Sequence, residues 1–140
     1  MDWFSSRVLS WRVSNSLDAS FCIEALQEAM TNYGKLEIMN TDQGSQFTGL
    51  EWTDALKDAE VKISMDGRGR WIDNRMVERL WRSLKYECVY LHAFETGSDA
   101  KPQIGNWISY YNTERPHSSH RRLTPNEAYE NKQILEKVAA

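Results

Sequence analysis

Apolar positions recur with two different periods near the start of the chain. Residues 7–13 (RVLSWRV) alternate roughly between the two faces of an extended chain, which predicts a β-strand. After Asp18, a good N-cap residue, apolar residues recur at helical spacing and predict a helix that ends near Tyr33. Gly34 suits the left-handed position that often follows a helix. The pattern therefore predicts a strand and then a helix that packs on a core.

Two short apolar runs follow. Residues 36–39 (LEIM) and 61–65 (VKISM) are predicted as strands, and the residues between them favour a helix from about residue 47 to residue 59. The polar run 40–44 (NTDQG) is typical of a turn and separates the first of these strands from the helix. Because strands alternate with helices in this way, the pattern indicates an α/β fold.

Helical patterns dominate the second half of the chain. Asp73 or Asn74 is predicted to cap a long amphipathic helix, and residues 104–111 also favour a helix. Thr124 and Pro125 form a typical helix start, with Thr as the cap and Pro in the first turn. The apolar stripe predicted for the long helix consists of Val77, Leu80, Trp81, Leu84 and Cys88.

Two carboxylates on different predicted elements are the main candidates for chemistry. Asp42 follows the LEIM strand, and ligands of open α/β folds gather at the carboxyl ends of strands. Glu78 lies on the long amphipathic helix. Carboxylates on two elements are what a divalent-metal site for phosphate chemistry needs. Each also has a structural alternative, since Asp42 can form an Asx turn and Glu78 an exposed ion pair with Arg82.

Basic residues cluster around Glu78, although the chain as a whole is acidic. Its net charge of −3 excludes a globally basic nucleic-acid binder. Arg binds phosphates through two hydrogen bonds and stacks on bases, so the local cluster suits a surface that binds nucleic acid. A solvated helix face is the alternative. The residues assigned to DNA binding are Arg68, Arg70, Asn74, Arg75, Arg79, Arg82 and Lys85.

The other polar residues and the cysteines narrow the class of protein. Cys22 and Cys88 form no zinc pattern with the three histidines, and reduced intracellular thiols are the simplest interpretation. No apolar run reaches the roughly 18 residues of a membrane span, and no signal peptide opens the chain, so we expect a cytoplasmic protein. A second basic patch contains Arg115, His117 and His120. It is either a phosphate contact or a polar loop that positions two helices.

Four stretches together resemble the integrase-core region of insertion-sequence transposases, a group related to retroviral integrases. The resemblance extends to about Tyr129 and implies an α/β, ribonuclease-H-like fold, similar to retroviral integrase, that is truncated at its N-terminus and has C-terminal helices. Residues 1–129 are then a partial catalytic core, and residues 130–140 are the end of the last helix. The stretches are MDWFSSRVLSWRVS, NTDQGSQFT, SMDGRGRWIDNRMVERLWRSLKYE and YYNTERPHSSHRRLTPNEAY.

The resemblance also implies an Asp-Asp-Glu triad that uses Mg²⁺ or Mn²⁺. Asp42 matches the second Asp of the family and Glu78 matches its Glu. The first Asp of the family lies on a strand upstream of the segment that matches MDWFSS, and Asp2 lies in a different motif and does not replace it. We therefore expect a fragment that lacks one catalytic carboxylate and is inactive alone. A two-ion site is expected only in the complete domain.

The implied function is DNA strand cleavage and transfer during transposition of an insertion sequence, with this chain as an incomplete fragment. A first alternative is a catalytically inactive remnant that only binds DNA or transposase subunits through the basic residues around Glu78. A second alternative is a generic α/β domain with surface ion pairs. The expected partners are transposon-end and target DNA, together with further copies of the chain or other transposase subunits. No membrane or small-molecule partner is expected.

Overall fold

The described residues form two compact units. The computed structural model describes the backbone of residues 1–65 and 71–139, and the side chains of residues 1–65 and 75–133. One unit, here called the α/β unit, is Ser10–Glu78. The other, here called the helical unit, combines Met1–Leu9 with Arg79–Ala140.

The α/β unit contains a parallel two-stranded sheet among its described residues. Ile38 lies opposite Lys62 and Thr41 lies opposite Met65, so both strands end at the same edge. Parallel strands need a crossover connection, and two helices supply it. The elements are α1 (Ser20–Tyr33), β1 (Ile38–Thr41), α2 (Ser45–Thr48), α3 (Leu50–Asp58) and β2 (Lys62–Met65).

The core of the α/β unit forms where α1 and α3 pack with the sheet. Its buried residues are Leu26, Trp52, Leu56 and Val61, and the rings of Phe47 and Trp52 meet edge to face at 5.2 Å. The side chains of Trp52 and Leu56 are completely enclosed. This packing confirms the apolar pattern predicted for the first helix, and Gly34 has the predicted positive φ, +87°, where that helix ends.

The helical unit is built from three long helices joined by two short 3₁₀ turns. The helices are α4 (Trp71–Glu87, whose first residues belong to the other unit), α5 (Gly97–Thr113) and α6 (Pro125–Ala139). The 3₁₀ turns are Val89–Leu91 and Ser118–His120. The buried apolar side chains include Val8, Leu80, Leu84, Cys88, Trp107, Ile108, Tyr111 and Ala128. No helix among the described residues is both long and apolar enough to cross a membrane.

Two helices of this unit begin with side-chain caps. Thr124 and Glu127 form a reciprocal capping box, in which each backbone N–H donates to the other side chain, at 2.8 and 3.3 Å. The predicted start of the last helix is therefore confirmed. Thr96 caps α5 by accepting a hydrogen bond from the Asp99 N–H at 3.2 Å. Helix α6 continues through residue 129, and the division into 1–129 and 130–140 stays a prediction.

The strand predicted for residues 7–13 is absent, and that prediction was wrong. The backbone N–H of Val8 donates to Oδ1 of Asn112 at 3.0 Å, and Nδ2 of Asn112 donates to the Val8 carbonyl at 2.9 Å. The side-chain amide of Asn112 thus makes the pair of hydrogen bonds that a neighbouring strand makes in a sheet. Local alternation predicts an extended chain, but a strand also needs a partner backbone.

The predicted N-cap of α1 was also wrong. The helix begins at Ser20, and the preceding Ala19 makes no side-chain capping bond. The carboxylate of Asp18 instead accepts a hydrogen bond from the Ser16 hydroxyl, one turn of chain before the helix. A short polar side chain can bond to several nearby donors, and here a neighbouring serine is the donor rather than the helix backbone.

Other boundaries differ by a few residues from the predictions. The first strand begins at Ile38 rather than at residue 36, and the helix predicted for residues 47–59 is divided at Gly49 into α2 and α3. Helix α4 begins at Trp71, ahead of the two residues predicted to cap it. Trp81, predicted to be in the core, is 50% exposed because it lies at the margin of the apolar stripe.

Candidate functional site

Asp42 lies directly after β1, at the edge where both parallel strands end. Its Oδ1 accepts a hydrogen bond from the backbone N–H of Gly44 at 2.9 Å, which makes this turn an Asx turn. The side chain is exposed, and Oδ2 accepts no hydrogen bond from the described residues. The turn therefore fixes the direction of the carboxylate while one oxygen stays open to a ligand.

At Gly44 it is space, rather than the backbone conformation, that favours a residue without a side chain. A Cβ built on Gly44 would lie 2.9 Å from Oδ1 of Asp42 and 3.2 Å from Oε1 of Gln46. Its φ of −58° is accessible to any residue. The absence of a side chain at residue 44 is thus what lets the Asp42 carboxylate approach the backbone.

Thr41 adds a second oxygen at this edge of the sheet. Its side chain is 6% exposed, and its hydroxyl has no hydrogen-bond partner among the residues that the structure describes. A buried hydroxyl without a partner needs an explanation such as an ordered water or an ion. Thr41 is the last residue of β1 and directly precedes Asp42 in the chain.

Glu78 is exposed on α4 and belongs to the same unit as Asp42. The alternative of an ion pair with Arg82 is wrong, because no ion pair within the described ranges involves Glu78. The guanidinium of Arg82 lies instead over the ring of Tyr86, 6.0 Å from its centroid. Glu78 therefore presents a carboxylate that forms no ion pair with a cation of the described residues. That it converges with Asp42 on one cation stays a prediction.

The carboxylates of Asp42 and Glu78 are of the type that suits a hard divalent cation. Mg²⁺ and Mn²⁺ prefer oxygen ligands, and Mg²⁺ usually keeps several waters beside one or two carboxylates. Within residues 1–65 and 75–133, no group of three or more His, Cys, Asp or Glu side chains is placed to hold an ion. An ion bound by Asp42 and Glu78 would therefore be held by few protein oxygens, with water or phosphate completing its coordination.

The basic residues predicted to contact DNA are exposed on α4 wherever their side chains are described. Arg79, Arg82 and Lys85 point to solvent and form no ion pair among the described residues. Arg75 is also exposed. Arg68 and Arg70 lie outside the described residues, as does the side chain of Asn74. Their assignment to DNA stays a prediction.

The carboxylate of Asp2 makes two hydrogen bonds and an ion pair. Its Oδ2 accepts hydrogen bonds from the backbone N–H and the hydroxyl of Ser5, at 2.8 and 2.6 Å. Its Oδ1 lies 3.5 Å from Nζ of Lys132. Although burial raises the pKa of this carboxyl, the hydrogen bonds from Ser5 and the charge of Lys132 bring it below its ordinary value. These contacts support the exclusion of Asp2 from the candidate metal ligands.

The second basic patch is part of the packing of the helical unit. Arg115 donates to Oε2 of Glu87 at 2.5 Å, and the indole N–H of Trp107 donates to the same oxygen at 3.2 Å. His117 meets the ring of Tyr111 edge to face at 4.9 Å. These contacts favour the interpretation that this loop positions two helices.

Burial in this patch changes two pKa values. Desolvation raises the pKa of Tyr111 to about 12, against the opposing effect of Arg115 and Arg79. Burial lowers the pKa of His117, and His120, Arg115 and Arg79 lower it further because like charges disfavour the protonated ring. Both groups are therefore neutral near pH 7.

Sequence reasoning missed the roles of Asn112 and Glu87. Each makes its contacts across a long stretch of chain, 104 residues from Asn112 to Val8 and 28 residues from Glu87 to Arg115. No rule based on sequence spacing predicts a contact between residues so far apart along the chain. The local signal that each residue gives is a polar side chain in the last turn of a helix, since Glu87 ends α4 and Asn112 is the second-last residue of α5.

Two family models, both for the integrase core domain, match this chain over residues 1–70 and 59–125. It is 31% identical to the putative transposase InsK for insertion sequence element IS150 of Escherichia coli (strain K12), over 99% of this chain and 49% of that protein. It is 32% identical to the transposase for insertion sequence element IS904 of Lactococcus lactis subsp. lactis, over 84% of this chain and 48% of that protein. The chain thus spans about half the length of these relatives.

A solved structure shares the fold. The catalytic core domain of BIV integrase superposes with a TM-score of 0.71 over 95% of this chain and 84% of its own, at 20% sequence identity. Similarity at that level of identity concerns the fold alone. It confirms the predicted ribonuclease-H-like architecture, similar to retroviral integrase.

Proposed function

Because the chain belongs to the integrase core domain family, we propose that it acts within a transposase that cleaves and transfers DNA strands during transposition of an insertion sequence. Its relatives are transposases of insertion sequences, and the family membership argues against a generic α/β domain. The observation that carries the proposal is the exposed carboxylate of Asp42, held by the Gly44 N–H at the carboxyl end of a parallel strand.

Asp42 and Glu78 are the proposed metal ligands and catalytic carboxylates. Asp42 is oriented by its Asx turn, and no ion pair among the described residues involves Asp42 or Glu78, so neither carboxylate has to break such a pair to accept a cation. Two carboxylates support Mg²⁺ or Mn²⁺ as the cofactor.

When bound, the ion supplies charge stabilisation and lowers the pKa of an attacking hydroxyl. The chain itself contributes orientation and charge. Asp42 and Glu78 would hold the ion, and Gly44 keeps the Asp42 carboxylate in one direction. A second ion would require more carboxylate oxygens than these two residues provide, so a two-ion site is proposed only where a third carboxylate completes the set.

The basic face of α4 is the proposed contact with DNA phosphates. It carries Arg75, Arg79, Arg82 and Lys85 against a single acid, Glu78, between residues 75 and 85. Such a local excess of positive charge releases counterions from a polyanion, which makes binding depend on salt. Arg68, Arg70 and Asn74, which come shortly before in the sequence, are proposed to extend the contact.

Metal-dependent nicking of supercoiled plasmid DNA tests the catalytic proposal. In a transposase that also carries the third carboxylate, we expect nicking in Mn²⁺ or Mg²⁺ and a loss of more than about 100-fold in Asp42→Asn and in Glu78→Gln, because residues that act as a unit fail together. The purified chain, which has two of the three carboxylates, is expected to be inactive alone, and metal-dependent nicking by it that is lost in Glu78→Gln would show that it is an enzyme by itself. Glu51→Gln, an exposed acid on α3, is the matched control and should keep its activity.

A second measurement separates metal binding from catalysis. Mn²⁺ should raise the melting temperature of the wild-type chain, and Asp42→Asn should remove that shift, since a ligand stabilises the state that binds it. Equal nicking by the wild type and both variants would refute the assignment of these residues. Salt-sensitive DNA binding by the wild type without any nicking would favour the inactive binder.

A further inference from the structure

Aromatic side chains are exposed along α4 and the turn that follows it. Trp81 is 50% exposed, and Tyr86 and Tyr90 are each 63% exposed. The rings of Tyr86 and Tyr90 meet edge to face with their centroids 5.3 Å apart. Three large rings on one stretch of surface are unlike the single exposed apolar residues that most soluble proteins show, and grouped exposure of this kind marks a binding surface.

Two cations lie between these rings around the helix. Residues three and four positions apart share one face, so Lys85 and Arg82 lie between Trp81 and Tyr86 around the helix axis. The guanidinium of Arg82 lies 6.0 Å from the centroid of the Tyr86 ring, at the limit of a cation–π contact. We call this surface the α4 strip; its members are Trp81, Arg82, Lys85, Tyr86 and Tyr90.

The cations of the α4 strip are not neutralised by carboxylates among the described residues. Some cations elsewhere on the described surface pair with acids, as Arg12 does with Glu28 and Lys35 with Glu60, whereas others, such as Arg79, do not. Arg82 and Lys85 have no such pair, and the nearby Glu87 binds Arg115 instead. The strip is therefore a positive, aromatic surface on a chain whose net charge is −3.

We propose that the α4 strip binds an unpaired DNA strand, with bases stacked on the tyrosines and tryptophan and phosphates held by Arg82 and Lys85. Single-stranded nucleic acid is the polyanion whose flat faces are open, whereas the base faces of a duplex are already stacked. An apolar protein partner fits less well because it would bury two cations without carboxylates.

The dimensions agree with a short single-stranded segment. Helix rise places Tyr86 about 7.5 Å beyond Trp81 along the axis of α4, and Tyr90 follows in the 3₁₀ turn Val89–Leu91. Stacked nucleotides repeat at about 3.4 Å along one strand, so the helical part of the strip accommodates about two of them. The inference rests on the proposed function, because an unpaired strand beside Glu78, on the same helix, is of use to an enzyme that cleaves and transfers DNA strands.

Fluorescence anisotropy with a labelled oligothymidine of 12 nucleotides, in EDTA, tests the inference. Each of Tyr86→Leu and Tyr90→Leu should weaken binding about tenfold, because stacking of one base on one ring contributes about one such factor. Tyr86→Phe keeps the ring and should bind as the wild type does. Tyr110→Leu is the matched control, since Tyr110 is 44% exposed on α5 outside the strip.

A duplex of the same length distinguishes stacking from charge. The tyrosine variants should leave duplex affinity unchanged, whereas Arg82→Gln and Lys85→Gln should weaken both ligands and reduce the salt dependence by about one unit each. Equal loss of duplex and single-strand affinity in Tyr86→Leu would overturn the proposal. So would unchanged single-strand affinity in Tyr86→Leu and Tyr90→Leu.

Sedimentation of the same variants addresses the competing occupant, a second copy of the chain. A change of oligomeric state in Tyr86→Leu without a change in single-strand affinity would show a protein interface and overturn the proposal. Because these measurements are made without metal, their failure is distinct from failure of the nicking assay, which depends on Asp42 and Glu78.

Discussion

Replacing Asn112 by leucine tests whether one side-chain amide takes the place of a strand partner. Asn112 lies in the last turn of α5, and its amide both accepts from the Val8 N–H and donates to the Val8 carbonyl. Leucine has nearly the same shape and cannot make either bond. The variant therefore leaves two backbone groups of a residue that is only 7% exposed without their partners.

The expected loss of folding stability in Asn112→Leu follows from the N–H and the carbonyl of Val8, which both lose their partner. An unsatisfied buried donor or acceptor costs about 1–3 kcal/mol, so two of them cost about 2–6 kcal/mol before any relaxation. The half-buried leucine and the entry of water offset part of this cost. We expect Asn112→Leu to lower the free energy of unfolding by about 2–4 kcal/mol, with a smaller loss in Asn112→Asp, which keeps the acceptor for the Val8 N–H.

Urea denaturation measures the loss, and hydrogen exchange locates it. The Val8 amide should exchange much faster in Asn112→Leu than in the wild type, because its acceptor is gone. Asn106→Leu makes the same substitution at an exposed position of α5 and should change stability by less than about 0.5 kcal/mol. Equal stabilities of Asn112→Leu and Asn106→Leu, or an unchanged exchange rate at Val8, would refute the reasoning.

Two further predictions concern a glycine and a histidine. In Gly44→Ala the new Cβ would lie 2.9 Å from Oδ1 of Asp42, so the carboxylate must move. Nicking should therefore fall about tenfold with little change in melting temperature. Unchanged nicking would contradict this prediction. Burial of the ring holds the pKa of His117 below its ordinary 6.5. The neutral ring therefore makes its full contribution to folding stability above pH 6.5, and that contribution is lost as the pH falls toward the lowered pKa. Between about pH 7.5 and about pH 5, the melting temperature of His117→Gln should therefore fall less than that of the wild type. His92→Gln, an exposed control, should follow the wild type.

The sequence alone determined the features that depend on a few neighbouring residues. The apolar stripe of α1, the positive φ at Gly34 and the cap at Thr124 were predicted correctly. The family and its ribonuclease-H-like fold were also predicted, from four short motifs that occur together. Helical periodicity, capping and turn chemistry act within about one turn of chain, so the residue types fix them almost independently of the rest of the molecule.

Only the tertiary structure decided which distant groups became partners. Residues 7–13 have the alternation of a strand, yet Val8 bonds to the side chain of Asn112 rather than to another strand. Arg82 has an acid one turn before it and lies over Tyr86 instead, and Glu87 takes Arg115 from another helix. A local sequence pattern indicates which kinds of partner a group can bind. The partner that it binds in the folded chain depends on how distant segments pack. Burial and competition among all donors and acceptors determine which pairing gives the folded state its lowest free energy.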